Sequence, residues 1–249
     1  MPGRPFLSTA LVLLCIAWPA HAQRAAVDLE LAFVVDASGS IDEAETRLQR
    51  RGYADALANP RVLGAIGSGF LRAVAVAYIE FAGPGCERVS VGWTRVSDGA
   101  GARTFGGKIL ALPPMFCPGG NAIGDAVALA TASIAGNGFE GTRLVIDVSG
   151  DGPNTIGLPV EFARDSAVAA GITVNGLVIE RPSMPDLDEY YRAAVTGGPR
   201  SFVIKADDRR SFADAILKKM ILEIAGRDGS APGTGGISGR LARKTPNLR

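Results

Sequence analysis

The sequence predicts an α/β fold, a three-layer, doubly wound, mostly parallel sheet with one antiparallel edge strand. Three observations carry this. Short apolar runs alternate along the chain with stretches whose apolar residues recur at helical spacing. The run Leu31-Ala-Phe-Val-Val35 is apolar throughout, as in strands covered on both faces. The segment Val89-x-Val91-x-Trp93 instead alternates and follows Gly83-Pro84-Gly85, which reads as an antiparallel hairpin partner.

Residues 1–22 read as a signal peptide rather than as part of the fold. Arg4 supplies a short basic region, Leu11 to Trp18 an apolar one, and Ala20-His21-Ala22 a small-x-small cleavage site before Gln23. The apolar run is short for a membrane span, and Leu13-Leu14-Cys15 lacks the small residues of a lipoprotein signal. The mature chain is therefore expected to be periplasmic or secreted, with no transmembrane segment. His21, the one histidine, leaves with the leader. That excludes Ser-His-Asp and Cys-His mechanisms and imidazole zinc sites in the mature chain. Cys86 and Cys117 then remain, which in an oxidising compartment suggests one disulfide, the alternative being two separate buried thiols. With 26 Lys+Arg against 25 Asp+Glu, total charge points to no nucleic-acid partner.

In order, residues 23–226 read as one domain. Val27 to Val35 is a strand and Ile41 to Asn59 a helix. Ile41, Ala44, Leu48, Tyr53, Ala56 and Leu57 lie near its apolar face, and Arg47, Arg50, Arg51 and Asp55 largely elsewhere. Asn59-Pro60 stops it. Leu71 to Phe81 is the second strand, the Val89–Trp93 run the third, and Ser97 to Leu112 a glycine-weakened helix. A helix runs from Ala122 to about Ala135, with Asn121 placed as its N-cap. Leu144 to Val148 is a strand, about Leu158 to Ala170 a helix ended by Gly171, and Ile172 to Ile179 a strand. A helix at Asp186–Val195, a strand at Ser201–Lys205 and an amphipathic helix at Phe212–Ala225 complete the domain. Lys218 and Lys219 suit the dipole of that last helix. Residues 227–249, rich in Gly, Ser, Pro and basic residues, read as a disordered basic tail.

Three loops stand out. Asp36-Ala37-Ser38-Gly39-Ser40 leaves the first strand with one carboxylate and two hydroxyls. Hydroxyls two residues apart in extended backbone share a side, and hard cations take oxygen ligands. The same residues are also ordinary turn and cap formers. Pro118-Gly119-Gly120-Asn121 opens a helix. Ser149-Gly150-Asp151-Gly152 leaves a strand with a carboxylate between two glycines, which also reads as a plain turn. In doubly wound sheets ligands lie outside the carboxyl ends of the strands. One site there collects the Asp36 and Asp151 carboxylates, the Ser38 and Ser40 hydroxyls and the Asn121 amide oxygen.

These motifs resemble the von Willebrand factor A-type domain and its metal ion-dependent adhesion site. Val-Asp-Ala-Ser-Gly-Ser at 35–40, Asn-Ala-Ile-Gly-Asp-Ala at 121–126, Val-Ile-Asp-Val-Ser-Gly-Asp-Gly-Pro-Asn at 145–154 and Leu-Asp-Glu-Tyr-Tyr at 187–191 are similar to the exported bacterial DUF1194 subgroup. The resemblance implies that Ser38 and Ser40 ligate Mg²⁺, or Mn²⁺ or Ca²⁺, directly. It implies that Asp36 and Asp151 act through water or as charges behind the ligands. Asn121 stands where the family usually has Thr. An amide oxygen is a legitimate ligand, and Thr155 and Thr142 are possible substitutes, although neither sits at the expected place. The implied function is capture of a protein partner presenting an Asp or Glu. A metal-free interaction scaffold is one alternative. A metal-dependent hydrolase with Asp36 as nucleophile is another, but Ser38 occupies the place of its second Asp and there is no Gly-x-Ser-x-Gly elbow.

The other polar residues have structural readings. Asp125 serves its helix dipole, Asp147 is a buried hydrogen-bonded carboxylate, Glu80 is an edge charge, and Tyr190 and Tyr191 pack their helix on the sheet.

Overall fold

The computed structural model describes residues 23–39, 41–115, 117, 119–206 and 211–226. The expected signal peptide, the basic tail and Ser40 lie outside the described residues. Among the described residues the main sheet has six strands in the order β4-β3-β2-β6-β7-β8. These are β2 (Leu29–Asp36), β3 (Val74–Phe81), β4 (Arg88–Val96), β6 (Leu144–Gly150), β7 (Ile172–Ile179) and β8 (Val203–Ala206). All neighbours are parallel except β3 and β4, so the antiparallel strand is at the edge as expected.

The strand period of two sorts the side chains into two cores. Leu31, Phe33 and Val35 face α1 (Glu43–Leu57), α2 (Pro60–Ser68), α3 (Gly99–Leu110) and α7 (Phe212–Ala225), meeting Tyr53, Ile66, Phe105 and Ile216. Ala32 and Val34 face α4 (Ile123–Gly136), α5 (Val160–Ala169) and α6 (Leu187–Tyr190), which runs on into a π-helical turn at Tyr191–Val195. Each large apolar side chain fully buried in these cores stabilises the fold by about 1.5–3 kcal/mol. β2 is flanked by β3 on one side and β6 on the other, and the chain winds away from it in both directions. A crevice therefore opens at the carboxyl ends of β2 and β6.

The structure corrects several local expectations. The first strand breaks at Asp28, whose carboxylate accepts from the Leu71 N–H at 2.9 Å and the Ala73 N–H at 3.3 Å. The piece before it, β1 (Ala25–Val27), pairs with β5 (Phe139–Gly141), a strand too short to show a period. Asn59-Pro60 ends α1 but also starts α2. Asn59 Oδ1 accepts from the Arg61 N–H at 2.9 Å, and Pro60 needs no donor at a first helical position. The first helix starts at Glu43 because Asp42 forms a capping box with Glu45, both bonds being 2.8 Å.

Charged residues depart furthest from the pattern. Leu48 is 40% exposed while Arg50, on the same helix, is buried. Arg50 pairs with Glu80 at 2.7 Å and donates to the carbonyls of Leu112 and Pro113 at 2.6 and 2.9 Å. Glu80 is thus a buried, saturated carboxylate rather than an edge charge, since its Oε2 also accepts from Ser90 at 3.0 Å. Lys219 does not point to solvent beside the α7 terminus. It is wholly buried and pairs with Asp147 and, at 2.8 Å, with Glu223. Asp147 is the buried structural carboxylate expected.

Candidate functional site

Asp36 ends β2 and is fully buried, while Asp151 lies one residue past the end of β6 and is also buried. Asp36 Oδ1 accepts from the Ser38 N–H at 2.8 Å, which folds the loop back over the strand end and keeps Ser38 buried. The loop is further tied to β3 by the Ala37 N–H, which donates to the Phe81 carbonyl at 2.8 Å. Asp36 Oδ2 is buried with no hydrogen-bond partner.

The two glycines around Asp151 are there for space. A Cβ at Gly150 would stand 2.7 Å from the Tyr191 hydroxyl and 3.1 Å from Asp36 Oδ2. A Cβ at Gly152 would stand 2.6 Å from the Asn121 side-chain nitrogen. Gly-Asp-Gly is therefore the spacing that lets the first and second loops close on the third, and not only a turn. Asn121 is buried but does not cap α4. Ala122 takes the cap position, and the Gly124 N–H is met by Asn154 Oδ1 at 3.0 Å. Asn121 instead bonds twice to Thr155 through its backbone: its N–H donates to the Thr155 hydroxyl oxygen at 2.8 Å, and its carbonyl accepts from the Thr155 N–H at 2.9 Å. Thr142 is at the other end of the sheet, bonded to the Asp28 carbonyl.

Asp36, Ser38, Asn121 and Asp151 are thus brought together, and Cys86 and Cys117 form a disulfide with Cα atoms 6.3 Å apart. Four further residues join the site, and of these Arg181 alone had no signal in the sequence. Asn154 and Thr155 lock the second loop to the third, as above. The Tyr191 hydroxyl reaches the Gly152 carbonyl at 3.4 Å. Burial and the nearby Asp36 and Asp151 carboxylates hold its pKa well above the ordinary tyrosine value. Arg181, just past β7, forms an ion pair with Asp151. A lone arginine in a loop is unremarkable in a sequence, and only the fold brings it here.

The electrostatics ask for a cation. Burial first, and the neighbouring Asp151 second, push the Asp36 carboxyl up from 3.8 to about 6. The donor set is one of hard oxygens: two carboxylates, a serine hydroxyl and an amide. Among the described residues no group of three or more His, Cys, Asp or Glu is placed to hold a metal. The orphaned Asp36 oxygen, beside a second buried carboxylate, fits a small oxygen-seeking cation. Beside Ser38 a cleft of about 460 Å³ is lined by Ile41, Glu43, Thr46, Pro114 and Met115 among others.

The sequence profile of DUF1194, described as a protein of unknown function, matches residues 26–228. No curated protein matches the chain by sequence. Many solved structures share its fold, among them the following three. Proximal thread matrix protein 1 from the mussel byssus, in a form with a zinc-occupied MIDAS motif, is 18% identical over 80% of this chain and 47% of its own, with a TM-score of 0.54. The pilus adhesin SpaC from Lactobacillus rhamnosus GG is 15% identical over 82% of this chain and 31% of its own, with a TM-score of 0.60. A von Willebrand factor type A protein from Catenulispora acidiphila is 16% identical over 80% of this chain and 43% of its own, with a TM-score of 0.53. This chain spans less than half the length of each.

Proposed function

Because the chain belongs to the DUF1194 family and has the von Willebrand factor A-type fold, we propose that it is an exported protein-binding module built around a divalent-cation site. The reading rests on one observation above the others. Asp36 Oδ2 is buried without a hydrogen-bond partner beside a second buried carboxylate, Asp151. Leaving such an oxygen unmatched costs about 1–3 kcal/mol, and a bound cation removes that cost.

Ser38 and Asn121 hold the cation in this reading, with Ser40, and Asp36 and Asp151 balance its charge. A bound Mg²⁺, Mn²⁺ or Ca²⁺ offers a coordination position to an Asp or Glu carboxylate of a protein partner. The rest of the work falls to the chain. The Asp36–Ser38 bond fixes the first loop, and Asn154 and Thr155 fix the second against the third. The cleft beside Ser38 takes the partner's neighbouring residues. The role is non-enzymatic: Ser38 stands where a hydrolase of this layout needs its second carboxylate, and the one histidine, His21, is in the leader. Export is carried by residues 1–22.

Thermal unfolding of residues 23–249 with millimolar Mg²⁺, Mn²⁺ or Ca²⁺, against chelator, is the test. A metal-dependent rise in Tm that Asp36→Ala and Ser38→Ala both abolish supports the reading. No rise with any of the three removes it. A second reading, a scaffold that binds its partner without metal, is favoured by one observation: Asp151 already has a cationic partner in Arg181. Partner binding that ignores chelator would select it.

A further inference from the structure

We propose that Arg181 is a tethered cation that occupies Asp151 in the metal-free protein and opposes metal binding until it is displaced. This rests on the metal-site reading above.

Arg181 lies two residues beyond the end of β7, the strand next to β6, so its backbone is at the same end of the sheet as Asp151. The backbone there is held by a tight turn in which the Met184 N–H donates to the Arg181 carbonyl at 2.9 Å. The side chain runs from this anchored point to Asp151 Oδ2. Its exposure is 29% against 4% for the Asp151 side chain, so the guanidinium lies toward solvent from the carboxylate. A cation arriving from solvent meets Arg181 at that carboxylate.

The charges are unequally served. Asp151 has the guanidinium, whereas Asp36 Oδ2 has no hydrogen-bond partner. The pair of carboxylates therefore keeps an unmet demand for positive charge although one cation is present. A guanidinium neutralises one carboxylate but cannot supply the compact double charge of a divalent ion to both. Asp151 balances less of a metal's charge while the guanidinium neutralises it, and a guanidinium beside a divalent cation is repelled by it. Metal binding then requires Arg181 to leave Asp151. Its long side chain and partial exposure allow that without moving the strand. Arg181 thus lowers metal affinity and also keeps the empty site folded.

The test is Mn²⁺ binding by calorimetry together with thermal unfolding, on the wild type, Arg181→Gln and Arg181→Lys. Arg181→Gln should bind Mn²⁺ about tenfold or more tightly than wild type. It should also melt lower in chelator, so that its metal-induced rise in Tm exceeds that of wild type. Arg181→Lys, which keeps the charge and loses the fork, should fall between. Arg181→Gln binding Mn²⁺ no more tightly than wild type overturns the proposal and leaves the metal site standing. A lower Tm with unchanged affinity, the signature of a merely structural arginine, overturns it equally. If neither protein binds Mn²⁺, the metal site and the proposal fall together. Should Arg181→Gln not fold, the wild type still decides. The Arg181 Nε–H resonance should shift on saturation with Mg²⁺ and not with sodium at equal ionic strength. An unmoved resonance at saturation overturns the proposal.

Discussion

The Asp36 carboxylate lies against Gly150, so close that a single added methyl group would stand 3.1 Å from its Oδ2. The same methyl would meet the Tyr191 hydroxyl at 2.7 Å. Gly150→Ala must therefore push apart two buried side chains, at a cost of about 1–3 kcal/mol. Denaturant unfolding in chelator should show that loss, and added Mg²⁺ should no longer raise the Tm. An alanine variant as stable as wild type, with its metal response intact, would mean the three loops are not packed as described.

The buried Asp36 makes metal-free stability fall as pH rises. Its folded pKa of about 6 is above the ordinary 3.8, so the native state holds the proton more tightly than the unfolded chain. The stabilisation is complete below 3.8 and lost as pH rises through about 6. Relative to Asp36→Asn, the wild type in chelator should lose about 2–3 kcal/mol between about pH 4 and about pH 7. Unfolding free energies of the pair across that range measure it. A constant difference would show that Asp36 is not held in a proton-favouring site.

Lys219 serves two buried carboxylates and has no exposure of its own. Burial, and then Asp147, raise the Glu223 carboxyl to about 7 even with Lys219 beside it. Lys219→Met leaves Asp147 and Glu223 without their cation and should cost about 3–5 kcal/mol in urea unfolding at neutral pH. Adding Asp147→Asn should recover part of the loss. If Lys219→Met alone unfolds at the wild-type midpoint, the network contributes nothing to stability.

Cys86 and Cys117 close a loop of 31 residues over the approach to the first helix. Replacing both by serine should lower stability by about 3–4 kcal/mol, because the unfolded chain regains the freedom the bridge removes. The metal-induced rise in Tm should persist, since neither sulfur is a ligand. Loss of the metal response in the double variant would place the bridge in the site's own architecture.

Much of the fold is readable because burial leaves a period. β7 and α7 run over the residues their patterns indicate, Ile172–Ile179 and Phe212–Ala225. The elements that escape are those without a period, such as three-residue β5, or those hidden by a residue with two uses, such as Asn59 ahead of α2. For the site, Asp36, Ser38, Asn121 and Asp151 are each legible from a special loop at a strand end or helix start. Arg50, Glu80 and Lys219 are misread for one reason. A charged residue counts as polar in any pattern, and nothing local says that a partner will reach it.

By itself the sequence determined the alternation of strands and helices, the parallel sheet with its antiparallel edge, and the three loops at which polar oxygens gather. These follow from local spacing: two for strands, near 3.6 for helices, and glycine where backbones must turn. Only the tertiary structure decided which charges are buried and with whom. Lys219 meets Asp147 across 72 residues and Arg181 meets Asp151 across 30. It also decided that Gly150 and Gly152 are spaces filled by Asp36, Tyr191 and Asn121. Such pairings depend on which strands become neighbours. That choice is made by the packing of two cores on one sheet, and no stretch of residues records it alone.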